Sequence, residues 1–415
     1  MRSLIFIFFI LLLTACQSGQ VDFFAAEWKA EEIPLDSEQS LTPNLFVGVD
    51  GQAYLSYLHH PNDSFASLQL RILEEGAWGA AQTIASGEDW FVNWADFPSV
   101  AAFRQKPTKL AAHWLQKRAA GTYDYDVRVS IASADKEWSP SFVPHRDSVA
   151  AEHGFVSLLP LPNGRMFASW LDGRFTKVRT SEAESSHQHG HGGGAMTLRA
   201  AEFDENGQLF AEAEIDHRVC DCCQTDAALG PEGPVVVYRD RSEEEIRDIY
   251  LARRVGGVWQ IPQKIGKDNW TINGCPVNGP AIATLHNTLA VAWFTMANDT
   301  PRVQVVFSED GGGSFGVPIR LDQQEAIGRV DIVLADERNA LVSFLEDDGQ
   351  NTRIKVVPVN TAGERGETVF EHPSDFSRRS GFPILEKQEN GFLMAFTVVD
   401  EGNTRVKTMR ISQEN

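Results

Sequence analysis

The chain has 415 residues, with 57 acidic against 37 basic side chains and a formal charge of −20. That balance argues against nucleic acid or an anionic membrane surface as a partner, and it serves either solubility or cation attraction. At 42% hydrophobic and 10% aromatic residues the composition is that of a globular protein, long enough for two or three average domains unless one repetitive fold absorbs the length.

Met1-Arg2 precede an apolar run from Leu4 to Leu13, and the run ends in Leu13-Thr14-Ala15-Cys16. A basic start and an apolar stretch too short to span a bilayer mark a secretory signal. The Leu-Thr-Ala-Cys ending resembles the bacterial lipobox. That resemblance implies a signal peptide over residues 1–15, lipidation of Cys16 and a tether over 16–22. Gln17 in place of Asp implies the outer membrane as the location within the bacterial envelope.

From residue 23 onward one pattern repeats: an apolar strand, a turn, an aromatic-rich strand, then two further strands. The aromatic strand recurs at 54–58, 111–115, 167–171, 235–238, 289–294, 341–345 and 392–396, seven copies at a spacing of about fifty residues. Units too small to bury their own faces must stack, and all-β units of this size stack as a propeller. The expectation is an all-β chain, with residues 23–415 forming a single seven-bladed β-propeller of four-stranded antiparallel blades; six blades is the alternative count. The last unit lacks an outer strand. Phe23 to Ile33 is expected to supply it by pairing with Thr404 to Ile411, so that no edge stays open.

A Trp or Phe precedes the outer strand at Trp78, Trp138, Trp259 and Phe315, and the last lies in Ser308-Glu309-Asp310-Gly311-Gly312-Gly313-Ser314-Phe315. Ser308, Asp310, Gly312 and Phe315 match the Asp-box, so the chain resembles the sialidase-like (BNR-repeat) propellers. In such a box Asp and Ser bond to the local backbone, glycines take positive φ, and the ring plugs between units.

In an up-and-down blade the loops fall on two faces, and the unusual residues fall on the face opposite the Asp-box. Cys220, Cys222 and Cys223 lead into the fourth unit, and Cys275 leads into the fifth. An even number of cysteines in an oxidising compartment suggests disulfides, but pairing Cys222 with Cys223 is strained. Clustered thiolates instead suit a soft ion, copper or zinc. His187, His189 and His191 follow in a Gly-rich insertion of the third unit, either a metal-capturing flap or a solvated loop. Trp90 and Trp94, leading into the second unit, are candidates for stacking on a sugar or a protein.

The family resemblance also implies exo-sialidase chemistry on an acidic glycan. Arg174, Arg239 and Arg329 would hold the carboxylate, Tyr238 would act as nucleophile, and Asp240 or Glu346 as acid/base. The family's Phe/Tyr-Arg-Ile-Pro motif is absent, and only one complete Asp-box remains. The sequence therefore leads first to a lipid-anchored propeller with a Cys/His-lined rim for a soft metal, copper favoured. The alternatives are a sialidase-type glycosidase and a protein-docking scaffold.

Overall fold

The computed structural model describes residues 23–133, 137–177 and 194–414. Cys16 and its flanking segments 1–15 and 16–22, together with His187, His189 and His191, lie outside the described residues.

The described residues form seven antiparallel sheets in a ring. Within a blade the second strand is buried on both faces, because each sheet is packed between two neighbours. Asn339–Asp347 and Met166–Asp172 accordingly show near-continuous burial and mostly apolar residues, not alternating patterns. Outer strands face solvent and carry little signal; Trp28–Ile33 is mostly exposed.

Blade 1 is built from Ser40–Val47, Ala53–Asn62 and Phe65–Glu74, with Ala77–Trp78 and Gln82–Gly87 at its edge. Blade 3 runs from His153–Pro160 through Met166–Asp172 and Met196–Phe203 to Leu209–Val219. Blade 4 begins with Asp226–Gly230 and Gly233–Arg239, blade 5 with Ala281–Leu285 and Thr288–Thr295, and blade 6 with Glu325–Leu334 and Asn339–Asp347. Blade 7 is closed by the N-terminus. Trp28–Ile33 pairs with Thr408–Gln413, so the closing strand sits further along the last strand than the expected Thr404 to Ile411. Phe23 does not join the ladder; its ring packs edge-on to Trp28 at 5.3 Å.

Blade 2 departs from the four-strand expectation. Among the described residues only Ser99–Phe103, Lys106–Lys117 and Tyr125–Ile131 form its ladder, and the outer position is held by the isolated bridges Val129–Phe142 and Ala132–Trp138. Pro140 supplies no N–H there. The Ser139 hydroxyl takes over part of the pairing by accepting the Ile131 N–H at 3.1 Å.

One device joins successive blades. A side-chain acceptor on, or just before, one innermost strand takes a backbone N–H from the innermost strand of the next: Asp96 from Phe155 (2.7 Å), Asp226 from Ile282 (2.8 Å), Asn278 from Arg329 (2.7 Å) and Asp331 from Leu385 (2.6 Å). Thr42, Phe155 and Arg329 take positive φ beside register shifts in the innermost strands of blades 1, 3 and 6. These bulges bend the strand where it meets the loop face. The innermost strands surround a channel of about 500 Å³ lined by residues such as Leu45, Val156, Asp226, Asp331 and Glu386.

The Asp-box adopts the expected geometry. Ser308 donates to Asp310 at 2.8 Å, Asp310 accepts the Ser314 N–H and hydroxyl at 2.9 and 2.7 Å, and Gly312 takes φ +84°. A Cβ on Gly312 would meet Leu251 at 2.9 Å. Phe315 packs on the apolar cluster shared by blades 4 and 5.

Candidate functional site

The loop leading into blade 4 leaves Val219 at the end of blade 3, and Cys220 is fixed at once by its N–H to Arg239 O at 3.0 Å. A turn then brings Cys222 and Cys223 back toward it. Gln224 ties this loop to two others, donating to Ala95 O at 2.7 Å and accepting the Gly279 N–H at 2.9 Å. The sulfurs converge as a result. Cys220 Sγ lies 3.5 Å from Cys223 Sγ and 3.9 Å from Cys222 Sγ, and all three fall within 4.8 Å of one another. Cys220, Cys223 and Cys275, the last exposed in the next loop, are near enough to Cys222 to push its thiol up.

All four are free thiols, so the disulfide expectation does not hold among the described residues. The sulfur separations lie far beyond the ~2.05 Å of an S–S bond. The Arg247 guanidinium donates to Cys220 Sγ at 3.2 Å. Burial pushes the Cys220 thiol up, but hydrogen bonds from Cys222 and Cys223 and the charges of Arg247 and Arg239 outweigh it, leaving Cys220 well below the ordinary thiol range. Cys223 is pushed up to about 12 by burial and by its bond to Cys220. Within the buried part of the cluster Cys220 is thus the thiol most readily ionised.

The arginines expected to grip one carboxylate do not share a pocket. Arg239 is buried and spends its guanidinium on Asn278 O (3.2 and 2.8 Å), Arg247 O (2.6 Å) and Phe294 O (2.7 Å). Arg329 is likewise buried, donating to Ser380 Oγ at 2.6 Å and to the carbonyls of Phe376, Ser377 and Gly381. Arg174 forms a two-point pair with Asp172 at 2.7 and 2.6 Å. Each is committed to holding loops together.

Among the expected acid and nucleophile groups, Glu346 accepts the Gln323 N–H at 3.1 Å and pairs with Lys355 at 2.5 Å, a structural clasp. Tyr238 is buried, and its hydroxyl donates to Asp216 Oδ2 at 2.5 Å. Asp240 stands nearby, with burial and the Asp216 charge holding its carboxyl at about 7. Trp90 and Trp94 are not free platforms: Trp90 stacks on Trp114 at 5.5 Å, and Trp94 stacks on Phe382 at 5.6 Å beneath Arg329.

Sequence reasoning missed Arg247 and Asp216, and also a buried constellation around His145 and His153 in the loop leading into blade 3. Its members come from two blades and a connecting loop, so no local motif announces them. The only hint is the pairing of His145 with Asp147, and of Glu152 with His153, one unit before the cysteine loop.

No protein-family model matches the chain, and no curated protein matches it in sequence. Solved structures do resemble it. The BP39L lectin from Burkholderia pseudomallei aligns with 93% of this chain and 96% of its own at 12% identity and a TM-score of 0.58. A PL25 ulvan lyase bound to -[GlcA(1-4)Rha3S]- aligns with 91% of this chain and 95% of its own at 10% identity and 0.56. The K499G mutant of NanB sialidase from Streptococcus pneumoniae aligns with 91% of this chain and 68% of its own at 10% identity and 0.45. At such identities the likeness concerns the fold alone, and that fold is a seven-bladed propeller.

Proposed function

We propose that the protein captures a soft metal ion, copper(I) in the first place, on the thiols of Cys220, Cys222 and Cys223, and that it does so in the bacterial envelope, anchored to the outer membrane through a lipid on Cys16. The observation that carries this reading is the sulfur spacing. With metal–sulfur bonds of about 2.3 Å, ligands at tetrahedral or trigonal angles sit about 3.8–4.0 Å apart, and Cys220 Sγ lies 3.5 and 3.9 Å from its two neighbours. Thiolates select soft cations. Copper(I) would use the three clustered sulfurs, whereas zinc would recruit Cys275 as a fourth. Arg247 offsets the surplus negative charge that several thiolates leave on one ion.

The test is a titration of the anaerobically reduced full chain with copper(I) against a chromophoric chelator. The expected result is one ion per chain withheld from the chelator, and no such retention in the Cys220→Ser/Cys223→Ser double variant. Retention by that variant, or none by the native chain, overturns the reading.

A carbohydrate ligand on the same face is the second reading. What favours it is the Tyr238–Asp216 hydrogen bond of 2.5 Å with Asp240 beside it, at a cleft lined by His217, Arg218, Arg241 and Tyr250. An acidic glycan is the ligand class to try, because the similar lyase is bound to a glucuronate-containing one.

A further inference from the structure

The loop leading into blade 3 packs His145 and His153 face to face, with ring centres 3.8 Å apart and planes within 3°. Carboxylates flank both edges of this stack. Asp147 Oδ2 lies 2.8 Å from His145 Nδ1 and 3.1 Å from His153 Nε2, while Asp126 Oδ1 lies 3.5 Å from His145 Nε2 and 3.7 Å from His153 Nδ1. Asp172 Oδ1 is 3.7 Å from His153 Nε2. Both imidazoles and the Asp172 side chain are wholly buried.

His153 Nδ1 faces Ala151 O at 3.1 Å and Tyr125 O at 3.3 Å, so in the neutral ring a proton on Nδ1 leaves Nε2 a lone pair facing Asp147 Oδ2 at 3.1 Å. Asp147 and Asp172 draw donors from His145 Nδ1 and the Arg174 guanidinium, but neither donor is bonded to Nε2, whose neighbours at 3.1 and 3.7 Å are carboxylate oxygens, an arrangement that a cation between them would satisfy.

We propose that His153 Nε2, Asp147 and Asp172 form a site for a divalent transition ion of the zinc class, separate from the thiol cluster. Bonds of about 2.0–2.2 Å to nitrogen and oxygen place tetrahedral ligands about 3.3–3.6 Å apart, and the distances of 3.1 and 3.7 Å from Nε2 straddle that range. Rigid elements deliver the ligands. His153 and Asp172 are direct cross-strand partners in blade 3, and Asp147 is held by the Val149 N–H at 2.9 Å on its other oxygen.

Supporting groups complete the arrangement. Trp170 Nε1 donates to Asp172 Oδ2 at 2.8 Å, and Arg174 grips both Asp172 oxygens, reaching Asp147 Oδ2 at 3.4 Å. Parallel rings cannot aim their lone pairs at one ion, so His145 is a positioning residue that holds Asp147 through Nδ1. Its Nε2, buried without a hydrogen bond, faces Asp126. Nitrogen and oxygen donors select zinc, cobalt or nickel over copper(I). The burial makes this a closed site that stabilises the junction of blades 2 and 3.

The experiment uses the full chain with its thiols alkylated, which removes the copper reading from the outcome. After loading with Co²⁺ and dialysis, one ion per chain should remain, with ligand-field bands and no thiolate charge-transfer band, and the thermal midpoint should rise. His153→Ala and Asp147→Ala should lose the ion. His145→Gln should weaken its affinity about 10- to 100-fold, the usual effect of removing an outer-shell partner. If His153→Ala does not fold, the alkylated native chain decides alone. A native chain that keeps no ion overturns the proposal, as does a folded His153→Ala variant that binds it undiminished.

Discussion

At the residue scale, the large charged side chains on the loop face divide by what they touch. Arg239 meets three backbone carbonyls and the face of Trp270, so its charge is spent inside the protein. Arg239→Ala leaves those carbonyls buried without donors, each costing about 1–3 kcal/mol. The expected loss is about 3 kcal/mol or more in urea unfolding, with Arg239→Lys restoring little because one ammonium cannot reach the same fork of acceptors. The glycosidase reading predicts the opposite pattern, turnover of an acidic glycoside that disappears in Tyr238→Phe and Arg239→Ala while stability holds. The Asp-box was legible at this scale because its bonds close within seven residues, from Ser308 to Ser314. The roles of Arg174, Arg239 and Arg329 were not, since an arginine that grips a ligand and one that grips a distant carbonyl look alike in sequence.

At the scale of elements, the strand that ends the last blade comes from the other terminus. Trp28–Ile33 covers the edge of Asn403–Gln413, and the junction is tied further by Thr408, whose hydroxyl donates to Ile33 O and accepts from Trp78 Nε1, both at 2.8 Å. Deleting residues 23–33 should therefore lower the thermal midpoint far more than shortening the exposed turn at 361–364, and should broaden the transition, because the ring reopens at an unpaired edge. Circular dichroism melts of the two deletions check this; equal effects would mean that the ring does not depend on the closing strand. The closing strand was legible from Trp28 and the incomplete last unit. Its register was not, because a mostly exposed strand carries no alternation to set which residue faces the core. The missing ladder of blade 2 was equally hidden, although Pro140 marks the position.

For the molecule as a whole, the acidic composition reaches into the channel. Asp226, Asp331 and Glu386 line it. Burial holds Asp226 at about 7, burial and the Asp226 charge hold Asp331 at about 8, and Glu386 is pushed up by burial and by both aspartates. A carboxyl whose pKa rises on folding binds its proton more tightly in the native state. Stability from this source is full below about pH 4 and falls as the pH climbs toward 8. Asp331→Asn keeps an acceptor for the Leu385 N–H while removing the charge. It should match the native chain near pH 4 and exceed it at pH 9 by about 1 kcal/mol, a figure discounted for the water that reaches the channel. Parallel stability curves of the two proteins would contradict this. Sequence alone determined the β class, the blade number and the closure, because a repeat multiplies each weak signal sevenfold and an aromatic strand buried on both faces is hard to mistake. It also placed Cys220, Cys222, Cys223 and Cys275 on one face, since strand order sorts loops between the two ends of the ring. Only the tertiary structure decided that the sulfurs lie within reach of one another, that the arginines are spent on carbonyls, and that His153, Asp147 and Asp172 meet. The arginine and histidine contacts join separate blades or span a sheet, and the sulfur distances are set by a turn that Gln224 ties to neighbouring loops, so none of them can be read from spacing along the chain.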